Sequence, residues 1–425
     1  MRTVVGKNTV THKLGKLKHL DRLAKYLILS KLKAIQFGRL EVIDTMSDES
    51  FVFGSLEKGP DLDVKVIIRK PIAYSKVAFG GSIGTGEAYI HEDFDVSNLT
   101  DLTRLFVRNQ KALTRLDGGS GNLILYTQKL LHKLRSNRTA QAEQNIKAHY
   151  DLGNDFFKLF LDPSMMYSAG VYSSPTSTLA DAQSEKLDRL CRKLNLAPHH
   201  HVLEIGTGWG GFALHAAKTF GCKVTTTTIS EEQFKLASSR IQDAGLSDRV
   251  TVIKEDYRKL RGSYDKLVSI EMIEAVGLNY LDKYFEVCSQ LLKENGDFAL
   301  QAILISDQGY EEAAKSVDFI QTHVFPGSAI PSVSRIMQAI KMKTDLRLTH
   351  FEEFGQHYAR TLAEWHRNLE SKKAEIIRLG YPSNLYRHWH YYLSYCEGGF
   401  REKHITVGQF VFAKPLSQTT GISLA

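Results

Sequence analysis

From about residue 200 onward the chain alternates between two hydrophobic periods. Short strand-like runs rich in apolar and β-branched residues, HVLEIG, KVTTTTI, RVTVIKED, KLVSIEM and DFALQAILI, are separated by stretches whose apolar positions recur every three to four residues: the segment after Gly210, SEEQFKLASSRIQDAG and NYLDKYFEVCSQLLKENG. Runs of the first kind suit strands buried on both faces, and those of the second suit amphipathic helices. Their alternation predicts an α/β fold with a mostly parallel, Rossmann-like sheet covered on both sides. Between about 306 and 400 the rhythm breaks into a polar and helical segment containing FPGSAIPS and FEEFGQHYARTLAEW, which reads as an insertion covering the site. ITVGQFVFAKP then returns as a final strand.

Ahead of this region, AIQFGRLEVID, SFVFGSL, LDVKVIIR and SKVAFGGSIGTGEAYI read as short strands with turns between them, a small α+β domain, followed by the helical stretch DLTRLFVRNQKALTRL. LHKLRSNRTAQAEQN is polar and lacks an apolar period, which predicts a linker at 132–145 between domains at 1–131 and 146–425. Nearer the start, Leu14, Leu17, Leu20, Leu23, Leu27 and Ile28 form an apolar stripe on a helix that also carries Lys16, Lys18, Arg22, Lys25 and Lys33. Two readings fit: a helix lying on a membrane surface, or a basic surface helix packing its stripe on its own domain.

Composition narrows the classes. With 43% hydrophobic and 24% charged residues the chain is of ordinary globular type. No run approaches the ~18 apolar residues of a membrane span, and the start lacks the apolar stretch of a secretory signal, so the expectation is a cytoplasmic protein, peripheral at the inner face of a membrane. The net charge of +8 calls for a polyanionic partner, nucleic acid or anionic lipid, and the first 40 residues hold ten Lys or Arg against one acid, Asp21. Cys191, Cys222, Cys288 and Cys396 show neither CxxC nor metal-ligand spacing, which predicts reduced thiols and no metal site.

The strongest local signal is Glu204-Ile205-Gly206-Thr207-Gly208-Trp209-Gly210-Gly211, directly after an apolar run and opening a helix. Glycines here let the backbone turn tightly and approach a ligand. Gly206, Gly208 and Gly211 satisfy GxGxxG, so a dinucleotide is one candidate. S-adenosylmethionine (SAM) is favoured by Glu204 two residues ahead of the first glycine, by Thr228-Ile229-Ser230 where a ribose-binding acid would otherwise stand, and by Asp256-Tyr257 closing the next strand, where an adenine contact falls.

These segments, together with KAHYDLGNDFFKLFLDPSMMYSAGVY, TTTISEEQ, SIEMIEAVG, FPGSAIPS, HYARTLAEW and HWHYYLSYCEGGFREKHITVGQFVFAKP, closely resemble the cyclopropane-fatty-acyl-phospholipid synthase family, which includes the enzymes that modify mycolic acids. The likeness spans about 145 to 415; earlier residues resemble only loosely the amino-terminal domain of the phospholipid-acting members. It implies a class I SAM methyltransferase with a helical lid and an acyl tunnel. It further implies SAM contacts from Tyr150, Tyr167 and Ser168, the methionine portion at Gly206 and Gly208 in the loop running to Gly210, and the ribose near Thr228 and Gln233. Phospholipid-acting relatives also suggest a homodimer.

Methyl transfer to an alkene leaves a carbocation, which needs a neighbouring anion or aromatic faces and a base to take a proton. The resemblance places Glu274, in SIEMIEAVG, at the active-site carboxylate and Tyr358 at the lid tyrosine. It also implies a bicarbonate ion as base, held by that glutamate, a cysteine, a histidine, the backbone of Ile303 and the tyrosine. Ala169 stands where the cysteine is expected and Gln301 where the histidine is, and both changes weaken the case for the ion. The expected proton acceptor is then Glu274, or a water held by Gln301 and Tyr358. The reading is a SAM-dependent C-methyltransferase acting on unsaturated phospholipid acyl chains at an anionic membrane, with cyclopropane as the leading product. A methylene, methyl-branched or otherwise modified chain is the alternative product, and a non-catalytic lipid-binding relative is the rival class. Nothing resembles a base-flipping pocket or an RNA module, so no nucleic-acid partner is expected.

Overall fold

A computed structural model describes residues 19–114 and 153–418. Those residues fall into two compact units, one of 19–98 with 109–114 and the other of 99–108 with 153–418. The expected linker at 132–145 lies outside the described residues, as do Leu14, Lys16, Leu17 and Lys18.

In the smaller unit, β1 (Gly38–Asp44), β2 (Glu49–Ser55), β3 (Asp63–Ile68) and β4 (Phe94–Val96) form a sheet in the order β2-β1-β3-β4. β1 alternates strictly between buried and half-buried positions, which turns Leu40 and Val42 to the core. SKVAFGGSIGTGEAYI, expected as strand, is instead most of a helix, Ile72–Ile90, broken at Gly81 (φ 54°, ψ −134°). The break folds the backbone onto itself so closely that a Cβ on Gly84 would sit 1.9 Å from the Lys76 carbonyl oxygen. The glycines that suggested turns between strands therefore serve a kink and a close approach.

The helix His19–Leu32 packs on that kinked helix, whose Ser75 donates to Asp21, and buries Ala24 and Leu32. Leu20, Leu23, Tyr26 and Leu27 remain exposed, at 56%, 53%, 70% and 38%, so most of the described stripe does not pack on its own unit. Lys25, expected on the basic outer face, turns inward to Asp44 at 2.6 Å and Glu49 at 2.8 Å. A buried carboxylate such as Asp44 draws the nearest flexible cation.

The larger unit is built on seven strands: β5 (His201–Ile205), β6 (Lys223–Thr228), β7 (Val250–Lys254), β8 (Tyr264–Ile270), β9 (Leu292–Ile305), β10 (Arg347–Glu353) and β11 (Ile405–Ala413), in the order β10-β11-β9-β8-β5-β6-β7. β5 to β9 run parallel, and β11 and β10 pair antiparallel at one end. Neighbouring residues serve opposite faces. Val202 and Val268 enter one hydrophobic cluster with Phe212 and Ala216, while Leu203 and Leu267 enter another with Phe285 and Phe298. Burial on both faces is why most of these strands read as apolar runs, and β6 buries Thr225, Thr226, Thr227 and Thr228 in the same way. The segment between β9 and β11 is mainly helical, as expected, but contributes β10 as an edge strand, whose Phe351 ring lies 4.5 Å from that of Phe410.

The chain runs outward through β5, β6 and β7, then returns to the other side of β5 with β8. That reversal opens a crevice at the carboxyl ends of β5 and β8, where open α/β sheets bind ligands.

β8 and β9 are tied by a buried ion pair between register partners Lys266 and Asp297, and Ser417 donates to the same aspartate at 2.6 Å. Asp297→Ala leaves a buried ammonium without its counter-charge and should cost about 3–5 kcal/mol, with Lys266→Met in the same chain restoring much of it. Urea unfolding followed by tryptophan fluorescence checks this for the larger unit alone, because Trp209, Trp365 and Trp389 all lie there.

Candidate active site

One wall of the crevice is the turn after β5. Gly206, Gly208 and Gly210 all have positive φ, at 102°, 51° and 84°. The Gly206 and Thr207 amides both donate to the Thr227 carbonyl, which docks the turn on β6. A Cβ on Gly206 would meet Met272 at 3.0 Å and one on Gly211 would meet Met166 Sδ at 2.4 Å, so these two glycines permit close packing. A Cβ on Gly208 would meet nothing within 4 Å. The turn thus presents bare backbone to open space, a cradle that fits the methionine end of SAM. Glu204 is buried behind it, accepting from the Thr226 hydroxyl at 2.6 Å, and that hydroxyl is 2.7 Å from Thr207 in the turn. Burial pushes the Glu204 carboxyl up to about 8.

Farther along the same edge, Thr228 ends β6 and donates to Gln233 at 2.7 Å, while Ser230 caps the helix Glu231–Asp243. After β7, both Asp256 oxygens are engaged by Arg258, and Tyr257 packs edge-on to Tyr284. These groups line one edge of the sheet in the expected order. Tyr150 lies outside the described residues. The Tyr167 hydroxyl donates to that of Tyr392 at 2.9 Å. Ser168 is buried and accepts from Lys186 Nζ at 2.7 Å.

The opposite wall is the turn after β8, and it departs from expectation. Glu271 directly follows β8 with a φ of 48°, a left-handed conformation that costs a non-glycine residue about 1–2 kcal/mol. Its Oε1 accepts from the Ala169 amide at 2.9 Å and from Gln301 Nε2 at 2.7 Å, and its Oε2 accepts from the Tyr358 hydroxyl at 2.8 Å. Gln301 and Tyr358, expected to serve an ion or water beside Glu274, serve Glu271 instead. The cause is proximity: Glu271 directly follows Ile270, the register partner of Gln301 on the adjoining β9, and its amide donates to the Gln301 carbonyl. Glu274 accepts directly from the Ile303 amide at 2.6 Å through Oε1, a backbone donor expected to hold an anion beside it, while its enclosed Oε2 has no hydrogen-bond partner among the described residues. Both glutamates are half-buried residues with enclosed carboxyl heads. Burial raises both, and the neighbouring Glu271 charge helps push Glu274 up to about 8.

Behind Gln301 runs a line of polar side chains that starts at half-buried Glu352 and is buried from Lys193 inward. Glu352 on β10 meets Lys193 Nζ at 2.5 Å; Lys193 donates to Gln409 Oε1 at 2.7 Å; and Gln409 Nε2 donates to Gln301 Oε1 at 2.9 Å. An ammonium has only donors, so its contact turns the Gln409 carbonyl toward it and the Gln409 amide toward Gln301. The Gln301 amide is left facing Glu271. Lys186, also fully buried, is drawn down to about 8 by burial, against the attraction of Glu271, Asp162 and Glu204.

Aromatic rings enclose this region. Tyr167 lies 5.3 Å from Trp365 and 5.5 Å from Phe157, and Tyr358 lies 4.4 Å from Phe400. Glu271, Lys186, Lys193 and Gln409 were not among the residues singled out from the sequence. The available signal was the acid at the first position beyond β8, inside the same SIEMIEAVG motif as Glu274.

Residues 137–410, well over half of the chain, match the mycolic acid cyclopropane synthetase family. A tuberculostearic acid methyltransferase of Mycobacterium tuberculosis is 34% identical over 368 residues, covering 82% of this chain and 83% of that protein. The cyclopropane-fatty-acyl-phospholipid synthase of Escherichia coli is 34% identical over 357 residues, covering 82% and 87%. A solved mycolic acid cyclopropane synthase, complexed with SAH and CTAB, has a TM-score of 0.60 at 29% identity, over 64% of this chain and 98% of that one. With the glycine cradle and the sheet order, these likenesses establish SAM as the methyl donor, and the chain belongs to the mycolic acid cyclopropane synthetase family of SAM-dependent methyltransferases.

Proposed function

We propose that this enzyme adds one carbon to a double bond in the acyl chain of a membrane phospholipid, with a cyclopropane ring as the leading product. The carboxyl pair Glu271 and Glu274, enclosed among aromatic rings across the crevice from the Gly206–Gly210 turn, carries the reading. SAM bound on that turn supplies an electrophilic methyl group. An alkene is a weak nucleophile that becomes a cation, so the protein must orient the chain, exclude water and offset positive charge. The carboxyl pair provides the negative charge, and Tyr167, Trp365 and Tyr358 offer ring faces to a cation. Exclusion of water falls to the segment between β9 and β11. Its Ala329 amide donates to the Glu274 carbonyl at 2.9 Å, and its Thr361 and His357 side chains accept from the Gly170 and Tyr172 amides.

A methylene or methyl-branched product is the second reading, favoured by Ala169 and Gln301 in place of the expected cysteine and histidine and by the likeness to the tuberculostearic acid methyltransferase. For access to lipid, the exposed Leu20, Leu23, Tyr26 and Leu27 form an apolar face in a basic region suited to the anionic inner leaflet of a membrane. No helix among the described residues is long and apolar enough to cross a membrane.

Mass spectrometry of lipids from cells expressing the enzyme should show phospholipid acyl chains one CH2 heavier than their unsaturated precursors, and fragmentation separates ring from branch; an unchanged lipid profile would refute the substrate assignment. Gly208→Leu should fold, at a cost of about 1–2 kcal/mol for its positive φ, yet bind SAH at least ~10-fold more weakly by calorimetry. Replacing Leu20, Leu23 and Leu27 together by Gln should weaken sedimentation with anionic vesicles at least ~10-fold, since each leucine returned to water forgoes part of ~1.5–3 kcal/mol. Unchanged sedimentation would remove the helix from the reading.

A further inference from the structure

We propose that Glu271 is the base that takes the proton from the substrate carbocation, a carboxylate fixed in the chain acting in place of a diffusible anion. The inference rests on the acyl C-methyltransferase reading above.

Three donors converge on Glu271: the Ala169 amide, Gln301 and the Tyr358 hydroxyl, at 2.7 to 2.9 Å. Two of these hydrogen bonds are fixed in direction. A backbone amide can only donate, and the Gln301 amide is turned toward Glu271 by the line of contacts that begins at the Lys193 ammonium. The seat is therefore built to receive an anion at Oε1. Among the described residues Oε2 accepts only from Tyr358, which leaves it a lone pair for an incoming proton.

Glu274 supports the same assignment. Like charges this close cannot both ionise easily in an enclosed site, and the pair behaves as one titrating unit. Among the described residues Glu274 receives a single amide at Oε1 and no donor at its enclosed Oε2, so it is the better place for a shared proton, and Glu271 the better place for the negative charge.

The backbone points the same way. Glu271 occupies a φ of 48°, where glycine would be relaxed. A charged, β-carbon-bearing side chain held at such a position, at the carboxyl end of β8 and beside the glycine turn, is strain retained at a site of chemistry.

The step balances without a co-reactant. A C–H bond of the newly transferred methyl group breaks, its proton passes to Glu271 Oε2, and its electron pair forms the carbon–carbon bond that closes the ring on the cationic carbon. Loss from a neighbouring carbon would instead place that pair in a double bond, with the same base. Glu271 then returns the proton to solvent.

The test compares the unaltered enzyme with E271Q and E271G in carbonate-depleted buffer, with and without added bicarbonate or formate, reading turnover, SAH affinity and melting temperature. Turnover of the unaltered enzyme should not respond to either anion. E271Q keeps the shape but not the base and should lose at least ~100-fold, with no rescue. E271G should lose a similar factor and recover part of it with the added anions that fit the vacated seat, a cooperative melting transition showing that it still folds. SAH should bind all three alike. Parent-like turnover in E271Q, strong stimulation of the unaltered enzyme by bicarbonate, or failure of both anions to raise the turnover of folded E271G would each overturn the assignment. Absence of any lipid methylation by the unaltered enzyme, with SAH still bound, would instead count against the substrate reading on which it rests.

Discussion

A negative charge enclosed at the end of β8 is the constraint around which the catalytic unit is arranged. A carboxylate leaving water loses solvation worth far more than any single hydrogen bond returns, and it persists only where several donors are already aimed at it. Glu271 obtains them from three directions in the chain: an amide ahead of the first strand of the large sheet, a side chain on β9, and a hydroxyl on the helix Gly355–Ser371. Each donor has in turn to be held. Gln301 is held by Gln409, and Gln409 by Lys193, whose ammonium reaches Glu352 at the sheet's edge. The segment carrying Ala169 is held by Thr361 and Gln183. Removing water from one carboxylate thus dictates polar residues at buried positions where apolar ones would otherwise pack.

The sheet makes that expense tolerable. Parallel strands whose neighbouring residues feed two separate hydrophobic clusters are fixed from both faces, so their carboxyl ends are positioned without help from the turns that follow them. The turns after β5 and β8 are then free to adopt positive φ and close approaches that would unravel a less supported loop. Met272 packs where a Cβ on Gly206 would be, so the two turns touch, and the glycine on one wall is needed because a large side chain stands on the other.

Much of this was legible in the sequence because its causes are local. Short runs rich in apolar and β-branched residues marked β5 to β9, and the spacing of Glu204, Gly206, Gly208 and Gly211 marked a turn open to a ligand, since only backbone geometry was at stake. Ile72–Ile90 was misread because its glycines serve a tertiary contact, Gly84 against Lys76, that no local pattern records. The site divided in the same manner. Glu274 and Ile303, both singled out from the sequence as holders of an anion, bond to each other, whereas Glu271 went unnoticed although it lies in the same motif. Its role comes from Gln301, 30 residues on, and Tyr358, 87 residues on, and such partners are visible only once β9 and the helix Gly355–Ser371 are in place. Lys193 and Gln409, separated by 216 residues, are the extreme case.

The enclosure that makes these carboxyls costly also makes them useful. An exposed glutamate binds its proton weakly, near pKa 4.3, and is a poor acceptor for any acid much weaker than that. Burial and a like-charged neighbour raise proton affinity here, with Glu274 pushed up to about 8, while the donors on Glu271 keep the pair from collapsing into two neutral acids. The two effects oppose each other, and their balance sets both how strong a base the pair is and how much negative potential it directs at a cation among the rings of Tyr167, Trp365 and Tyr358. Gln301 suits that balance better than an imidazolium would. A neutral amide orients and satisfies Glu271 without neutralising it, and so leaves its charge for the substrate.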